Sequence, residues 1–213
     1  MNENIKLIIF DLDGTLIDAY LAIRASFNYV MHRLALKPQD LKTVRQLVGW
    51  GDINLLKPYV LPKDLKYALN LYRAHHRQSL LKYSRLYPYA RGILRRLKSK
   101  GYKLAVASNR PSKFSLILLR HLKIRGFFDY VLCADQAKHG KPHPEMLNRI
   151  TRYFKLKKAQ VLYVGDMAID AQAGRAAKIA TVIVAGGSSS RGQIKKEHPF
   201  KMISAIRQLL KLF

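Results

Sequence analysis

Five short β-rich runs, residues 5–10, 102–107, 130–133, 161–164 and 179–184, recur along the chain between segments of helical length. Strands alternating with helices argue for βαβ units around a parallel sheet. Near-continuous apolar runs, rather than strict alternation, fit strands covered on both faces. The chain therefore reads as an α/β protein with a doubly wound parallel sheet. One gap breaks the rhythm, because about ninety residues separate the first run from the second, far more than a crossover needs. In that gap Tyr20, Leu21, Ile23, Phe27, Val30, Met31 and Leu34 recur at helical spacing, and 63–82 forms a second amphipathic stretch. Pro38, Gly49, Gly51, Pro58 and Pro62 punctuate turns between them. The expected organisation is a small helical domain, residues 19–86, inserted into a core built from 1–18 and 87–213. Near the end, Ile203, Ile206, Leu209, Leu210 and Phe213 predict a closing helix, and Gly186 to Gly192 reads as a flexible loop after the last strand.

The first run ends directly in Asp11-Leu12-Asp13-Gly14-Thr15-Leu16-Ile17-Asp18. Two carboxylates thus sit at the carboxyl end of a buried strand, where open α/β sheets place their ligand sites. Anions crowded there repel one another and lose hydration, so a core has no use for them unless a cation or substrate compensates. The chain has only thirteen acids, and five of them, Asp11, Asp13, Asp18, Asp166 and Asp170, gather at the ends of two predicted strands. In so acid-poor a chain the clustering reads as a magnesium and phosphate site. The other strand ends carry polar residues as well. The second leads into Ala107-Ser108-Asn109-Arg110, the third is followed by Gly140-Lys141-Pro142-His143-Pro144, and the fourth leads into Gly165-Asp166-Met167-Ala168-Ile169-Asp170. Singly these mean little; together, at one edge of one sheet, they form a set.

With those four segments in that order, the chain resembles the haloacid dehalogenase (HAD) superfamily, in its phosphatase branch with a helical cap inserted after the first motif. By motif form and cap length it is most similar to phosphoglycolate-phosphatase-like enzymes, and the resemblance covers essentially the whole chain. It implies a Rossmann-like core, an inserted α-helical cap, and Mg2+-dependent hydrolysis of a small phosphorylated metabolite. It implies Asp11 as nucleophile, forming an aspartyl-phosphate, and Asp13 as general acid and base. It implies magnesium held by Asp11, the carbonyl of Asp13, and Asp166. The phosphate would be held by Asp11, Leu12, Asp13, Ser108, Asn109 and Lys141. Asp170 would orient Lys141 or a magnesium-bound water, and Gly14 and Thr15 would turn the chain sharply beneath the phosphate. A specificity loop of the cap would fall near Gly49, Trp50 and Gly51. The chemistry agrees with these roles. A carboxylate is ionised at neutral pH and yields an acyl phosphate that water can cleave. Oxygen ligands suit magnesium, whose charge offsets repulsion between two anionic reactants.

Within the family, Asp13 argues against dehalogenases and phosphonoacetaldehyde hydrolases, which lack an acid there. Hexose-phosphate mutases of the β-phosphoglucomutase type keep it, but carry a histidine about a dozen residues after the nucleophile. This chain has Ile23 at that place, which cannot assist proton transfer. A phosphatase is favoured over a phosphotransferase.

The net charge of +26 needs its own account. Residues 91–125 hold eleven Lys and Arg and no acid. The helices near 91–100 and 112–123 are expected on one face of the sheet by the right-handed crossover rule, giving a basic face that binds polyanions weakly and with steep salt dependence. The alternative is ordinary solvated helix surface. The charge keeps open a phosphatase of nucleotides or nucleic-acid ends, and a polyanion-binding protein on the same scaffold. No apolar stretch reaches bilayer length and no signal peptide is read, so no membrane partner and a cytoplasmic location are expected. The lone Cys133 excludes an internal disulfide and reads as a small buried hydrophobe. Asp18 either caps the helix that follows or serves the site. His139 and His143 flank Lys141 without soft ligands nearby, so a metal role is disfavoured. His75 and His76 are expected at the surface. Trp50 either packs within the cap or touches substrate.

Overall fold

The first apolar run becomes the centre of the sheet. The computed structural model describes residues 5–212. Its elements begin with β1 (Leu7–Phe10), β2 (Ile17–Asp18), α1 (Tyr20–Arg33), α2 (Leu41–Leu47), α3 (Asp52–Leu56) and α4 (Leu65–Tyr83). Then come β3 (Arg85–Leu86), α5 (Ala90–Ser99), β4 (Lys103–Ser108), α6 (Ser112–His121), β5 (Tyr130–Cys133) and α7 (Glu145–Tyr153). The chain continues through β6 (Val161–Gly165), α8 (Ala168–Ala177), β7 (Ala180–Val184), α9 (Arg191–Lys196) and β8 (Lys201–Ile203).

Six strands form one parallel sheet in the order β5-β4-β1-β6-β7-β8. Side chains of a strand alternate between its two faces, and β1 shows the consequence. Ile8 and Phe10 join the cluster holding Ile93 and Leu97 of α5 and Leu118 of α6. Leu7 and Ile9 join Met146 and Ile150 of α7 and Ala173 and Ala177 of α8. Both faces are therefore covered, which explains why the strands read as continuous apolar runs. The expected five strands are all present, and β8 is a sixth that sequence patterning misses. Three residues are too few for a period, and only Ile203 among them is buried. The predicted closing helix is accordingly corrected. Ile203 lies in β8, Ile206, Leu209 and Leu210 lie in a 3-10 helix over Ile206–Leu212, and Phe213 is outside the described residues.

The long gap is filled by α1 to α4, with α1 packed along α4. The chain leaves the core through β2 and returns through β3, and these pair antiparallel, Ile17 with Leu86 and Asp18 with Arg85. Asp18 Oδ1 accepts from the Tyr20 amide at 3.2 Å, so of its two readings the helix-start role has the visible partner. Helices α5 and α6 do share one side of the sheet. Arg95, Arg96, Lys100, Lys113, Arg120 and Lys123 on them and their flanks are exposed. Not every cation of 91–125 belongs to that surface. Arg91 donates to the carbonyls of Leu122 and Lys123, Lys98 pairs with Asp129 at 2.9 Å, and Arg110 is buried. Among the described residues no helix is long and apolar enough to cross a membrane.

Phe10 is fully buried under α5 and α6 and meets Phe128 edge-on with centroids 6.4 Å apart. Phe10→Ala should lower the unfolding free energy by about 3–5 kcal/mol in urea melts.

Candidate active site

Five loops meet at the carboxyl edge of the sheet. They follow β1, β4, β6 and β7, with the fifth preceding α7. The loop after β1 is a tight turn in which the Leu12 carbonyl accepts from the amides of Leu16 and Ile17, both at 2.9 Å. Leu12 buries its side chain in the core, so its amide is the polar group it has left for a ligand. Gly14 closes the turn at φ +81°, and a Cβ there would lie 2.1 Å from Asp166 Oδ2. Only glycine satisfies both the left-handed backbone and that close approach. Thr15 Oγ1 donates to Asp166 Oδ1 at 3.1 Å.

Lys141 is the hub. Its Nζ lies 2.8 Å from Asp11 Oδ1 and 2.7 Å from Asp170 Oδ1, with all three side chains buried. Asp170 Oδ1 also accepts from the Tyr163 hydroxyl at 2.6 Å, while Oδ2 accepts the amides of Asp166 at 3.1 Å and Met167 at 2.9 Å. Asp170 is thus occupied on both oxygens, and of its two expected roles the one seating Lys141 is the one its contacts display. Asn109 clamps the same lysine by its backbone. Its Oδ1 accepts from Lys141 N at 2.8 Å, and its Nδ2 donates to Lys141 O at 2.9 Å and to Gly49 O at 2.8 Å. The Asn109 amide side chain is therefore committed on both its oxygen and its nitrogen. Ser108 is buried, and its Oγ accepts from Arg110 N at 3.2 Å.

Asp13 meets a partner that sequence reasoning did not assign. Arg110 donates through Nε to Oδ2 at 3.0 Å and through Nη2 to Oδ1 at 2.7 Å. Arg110 Nη1 lies 2.7 Å from His76 Nε2, His76 Nδ1 lies 2.9 Å from Ser26 Oγ, and Ser26 Oγ lies 3.1 Å from Ala22 O. One arrangement satisfies every member: Arg110 donates to His76, His76 to Ser26, and Ser26 to the Ala22 carbonyl. The surface expectation for His76 is thereby overturned; it is 1% exposed, stacked on Tyr72 and edge-on to Phe114. His75 is partly buried and stacks on Tyr29. The two rings diverge on α4 as neighbours must, yet the α1–α4 seam and the core loops enclose one of them.

The loop after β7 is the other missed contributor. Ser188 N approaches Asp166 Oδ2 at 3.4 Å, Ser188 Oγ meets the Tyr20 hydroxyl at 3.2 Å, and Ser189 Oγ accepts from Ala168 N at 3.0 Å. A Cβ on Gly187 would fall 1.7 Å from Asp166 Oδ2. What reads as a free glycine- and serine-rich loop after the last strand is instead packed on the site and precedes β8. Its place after a parallel strand was the available signal.

Part of this constellation borders a solvent-open cavity of about 570 Å³, its open mouth included. Asp11, Asp13, Ser108, Asn109, Arg110 and Lys141 line its polar side; Ile23, Leu47, Val48, Leu55 and Phe114 line its apolar side, with Gly49 and Gly51 at the helical segment. Trp50 is not part of that lining and is 46% exposed, whereas Gly49 and Gly51 on either side of it do line the cavity. Cys133 is buried, and burial pushes its thiol up to about 11.

Burial is the dominant force on Asp11 and Asp166. It drives Asp11 up to about 7, with Lys141 pulling down and Asp170 pushing up. Burial, then Asp170 and Asp11, drive Asp166 well above the usual carboxylate range. Burial works against the charges of Lys141 and Arg110, but their facing carboxylates more than offset it. Burial and the nearby Arg110 hold His76 well below its ordinary value, consistent with a neutral ring that accepts from the guanidinium.

One oxygen from each of Asp11, Asp166 and Asp170 lies within 4.8 Å of the others. Three buried carboxylates with a single ammonium carry excess negative charge, and their donors are all oxygen. That set fits a divalent cation of the magnesium type, and Asp11 and Asp166 accept from fewer protein donors than Asp170 does. Among the described residues no other group of three such side chains approaches this closely.

The family model for haloacid dehalogenase-like hydrolases matches residues 8–184. The chain belongs to that family. A phosphoglycolate phosphatase of Aquifex aeolicus is 31% identical over 182 residues, covering 85% of each chain. Another, from Pseudomonas fluorescens Pf-5, is 29% identical over 214 residues, covering 96% of this chain and 78% of that one. The crystal structure of a predicted phosphoglycolate phosphatase from Haemophilus somnus 129PT superimposes with a TM-score of 0.93 at 28% identity, covering 100% of this chain and 99% of that one.

As a hydrolase of this family, the protein should couple proton and metal binding. The folded, metal-free state holds a proton on Asp11 that the unfolded chain has released above 3.8. This group's contribution to stability is therefore greatest at low pH and is lost as pH rises toward 7. A divalent cation held there would compete for the same oxygens, so the thermal stabilisation by added magnesium should be small near about pH 5.5 and grow toward about pH 8. Asp166→Asn should remove that metal-induced shift and raise the metal-free stability at about pH 8, both read by thermal melts.

Proposed function

We propose that this hydrolase is a magnesium-dependent phosphatase of a small phosphorylated metabolite, of the phosphoglycolate phosphatase kind. The observation that carries the reading is Asp11, a buried carboxylate at the end of β1, lining the cavity and held on one oxygen by Lys141. In the proposed reaction an Asp11 oxygen attacks phosphorus as the ester P–O bond breaks, forming an aspartyl-phosphate. Asp13 gives a proton to the departing alkoxide, then takes one from the water that cleaves the acyl phosphate and restores Asp11. Lys141 and Ser108 hold the phosphoryl oxygens, where charge sits in the transition state. A bound magnesium ion would neutralise charge between Asp11 and the phosphate.

We assign 19–86 to a cap and 1–18 with 87–213 to the core, since the β2–β3 ribbon is where the chain passes between them. Ile23 lines the cavity at the position where mutases place a histidine. The histidine that does line it, His76, has both ring nitrogens engaged. Both facts favour hydrolysis over phosphotransfer.

A panel of phosphate esters with magnesium tests the reading. Turnover should be abolished by a chelator and fall by at least about a thousandfold in Asp11→Asn. Asp13→Asn should reduce turnover of an alkyl phosphate by roughly 10²–10⁴-fold, and that of p-nitrophenyl phosphate far less, because nitrophenolate departs without a proton. No Asp11-dependent turnover of any ester would reject the reading. The basic side of α5 and α6 is a separate proposal. A labelled oligonucleotide should bind at about 50 mM salt and be released by about 200 mM, without change in ester turnover.

A further inference from the structure

One cation of the cavity has no task in the reaction as written. Lys141 is committed to Asp11 and Asp170 on the phosphate side. Arg110 is the other Lys or Arg lining the cavity among the described residues, with its side chain 6% exposed. A buried guanidinium persists only when paired, and here Asp13 supplies the pair. That pairing occupies both oxygens of the carboxylate assigned to protonate the leaving group. For Asp13 to act, another anion must take its place on Arg110. No lining side chain can. Asp52 borders the cavity, but Arg73 holds both its oxygens, at 2.7 and 3.2 Å. His76 is an acceptor already bound to Nη1.

We infer that Arg110 reads the leaving group. A carboxylate carried by the substrate displaces Asp13 from the guanidinium, and the displacement frees Asp13 for proton transfer. The His76–Ser26 chain stays bonded to Nη1 and fixes the guanidinium plane during the exchange. Asp13 must reach the ester oxygen, so a group that replaces it on Arg110 must lie close to that oxygen. A phosphate monoester of the phosphoglycolate kind, with its carboxylate a short distance from the ester oxygen, meets that condition, and Arg110 is the residue that reads it. Among the described residues the cavity offers such an anion no second unengaged cation, since Lys141 is held by Asp11 and Asp170. This inference rests on the phosphatase reading and assigns the residue that selects within it.

The test compares phosphoglycolate with uncharged 2-hydroxyethyl phosphate, in binding and in turnover. Binding is measured by calorimetry with magnesium on Asp11→Asn protein, which removes turnover from the readout. The carboxylated ester should bind at least about tenfold tighter. Adding Arg110→Met should bring that ratio close to one, and His76→Phe, which keeps the ring, should lower it partway. With Asp11 intact, the kcat/KM ratio of the two esters should fall roughly 10- to 100-fold in Arg110→Met. Arg110→Lys keeps the charge but loses the fork, and should retain the fold by circular dichroism while losing most of the ratio. It decides the matter if Arg110→Met does not fold. No preference between the esters, or equal losses on both in the Arg110 variants, overturns the inference. A binding contrast without Asp11-dependent turnover would instead reject the phosphatase reading alone.

Discussion

The ammonium of Lys141, buried between Asp11 and Asp170, is the contact on which the rest of the site depends. Three loops are fixed by it. The loop after β1 supplies Asp11, the start of α8 supplies Asp170, and the Asn109 side chain brackets the lysine backbone from the loop after β4. Removing any partner would leave an unpaired buried charge, which costs far more than an exposed ion pair contributes. One lysine still does not balance the nearby acids. That imbalance is why the cluster fits a divalent cation and not a structural ion pair alone.

The same loops reach toward the helical insertion. Asn109 touches the Gly49 carbonyl, Arg110 touches His76, and Arg45 donates to the Gly186 carbonyl. The cavity is consequently built by two parts of the chain. Its polar side comes from strand ends, and much of its apolar side from α1, α2 and α3. On the proposed reading a division of labour follows, in which the strand-end loops would hold the reacting phosphate and the helical residues would meet the remainder of the substrate.

Charge is distributed unevenly between site and surface. The chain carries 39 Lys and Arg against 13 acids, yet the acids concentrate where burial makes their repulsion largest. Burial amplifies electrostatics at the sheet edge, whereas water and salt screen the exposed cations on α5 and α6. On the proposed readings the exposed cations would bear on association with polyanions, and the buried acids on chemistry.

Sequence patterning made the sheet legible because strands buried on both faces leave continuous apolar runs, and the carboxylates after β1 and β6 were legible because an acid is conspicuous there. It passed over β8, which is held by backbone pairing to β7 and buries one side chain. It passed over His76, Arg110 and the Gly187–Ser188 turn, whose importance comes from partners 34, 97 and 22 residues away. Local patterning determined which strands form and which acids stand at their ends, since those follow from periodicity and position along the chain. Which carboxylate each cation pairs with, and which histidine is enclosed, was decided only by tertiary packing, because those contacts exist only once separate loops and helices converge.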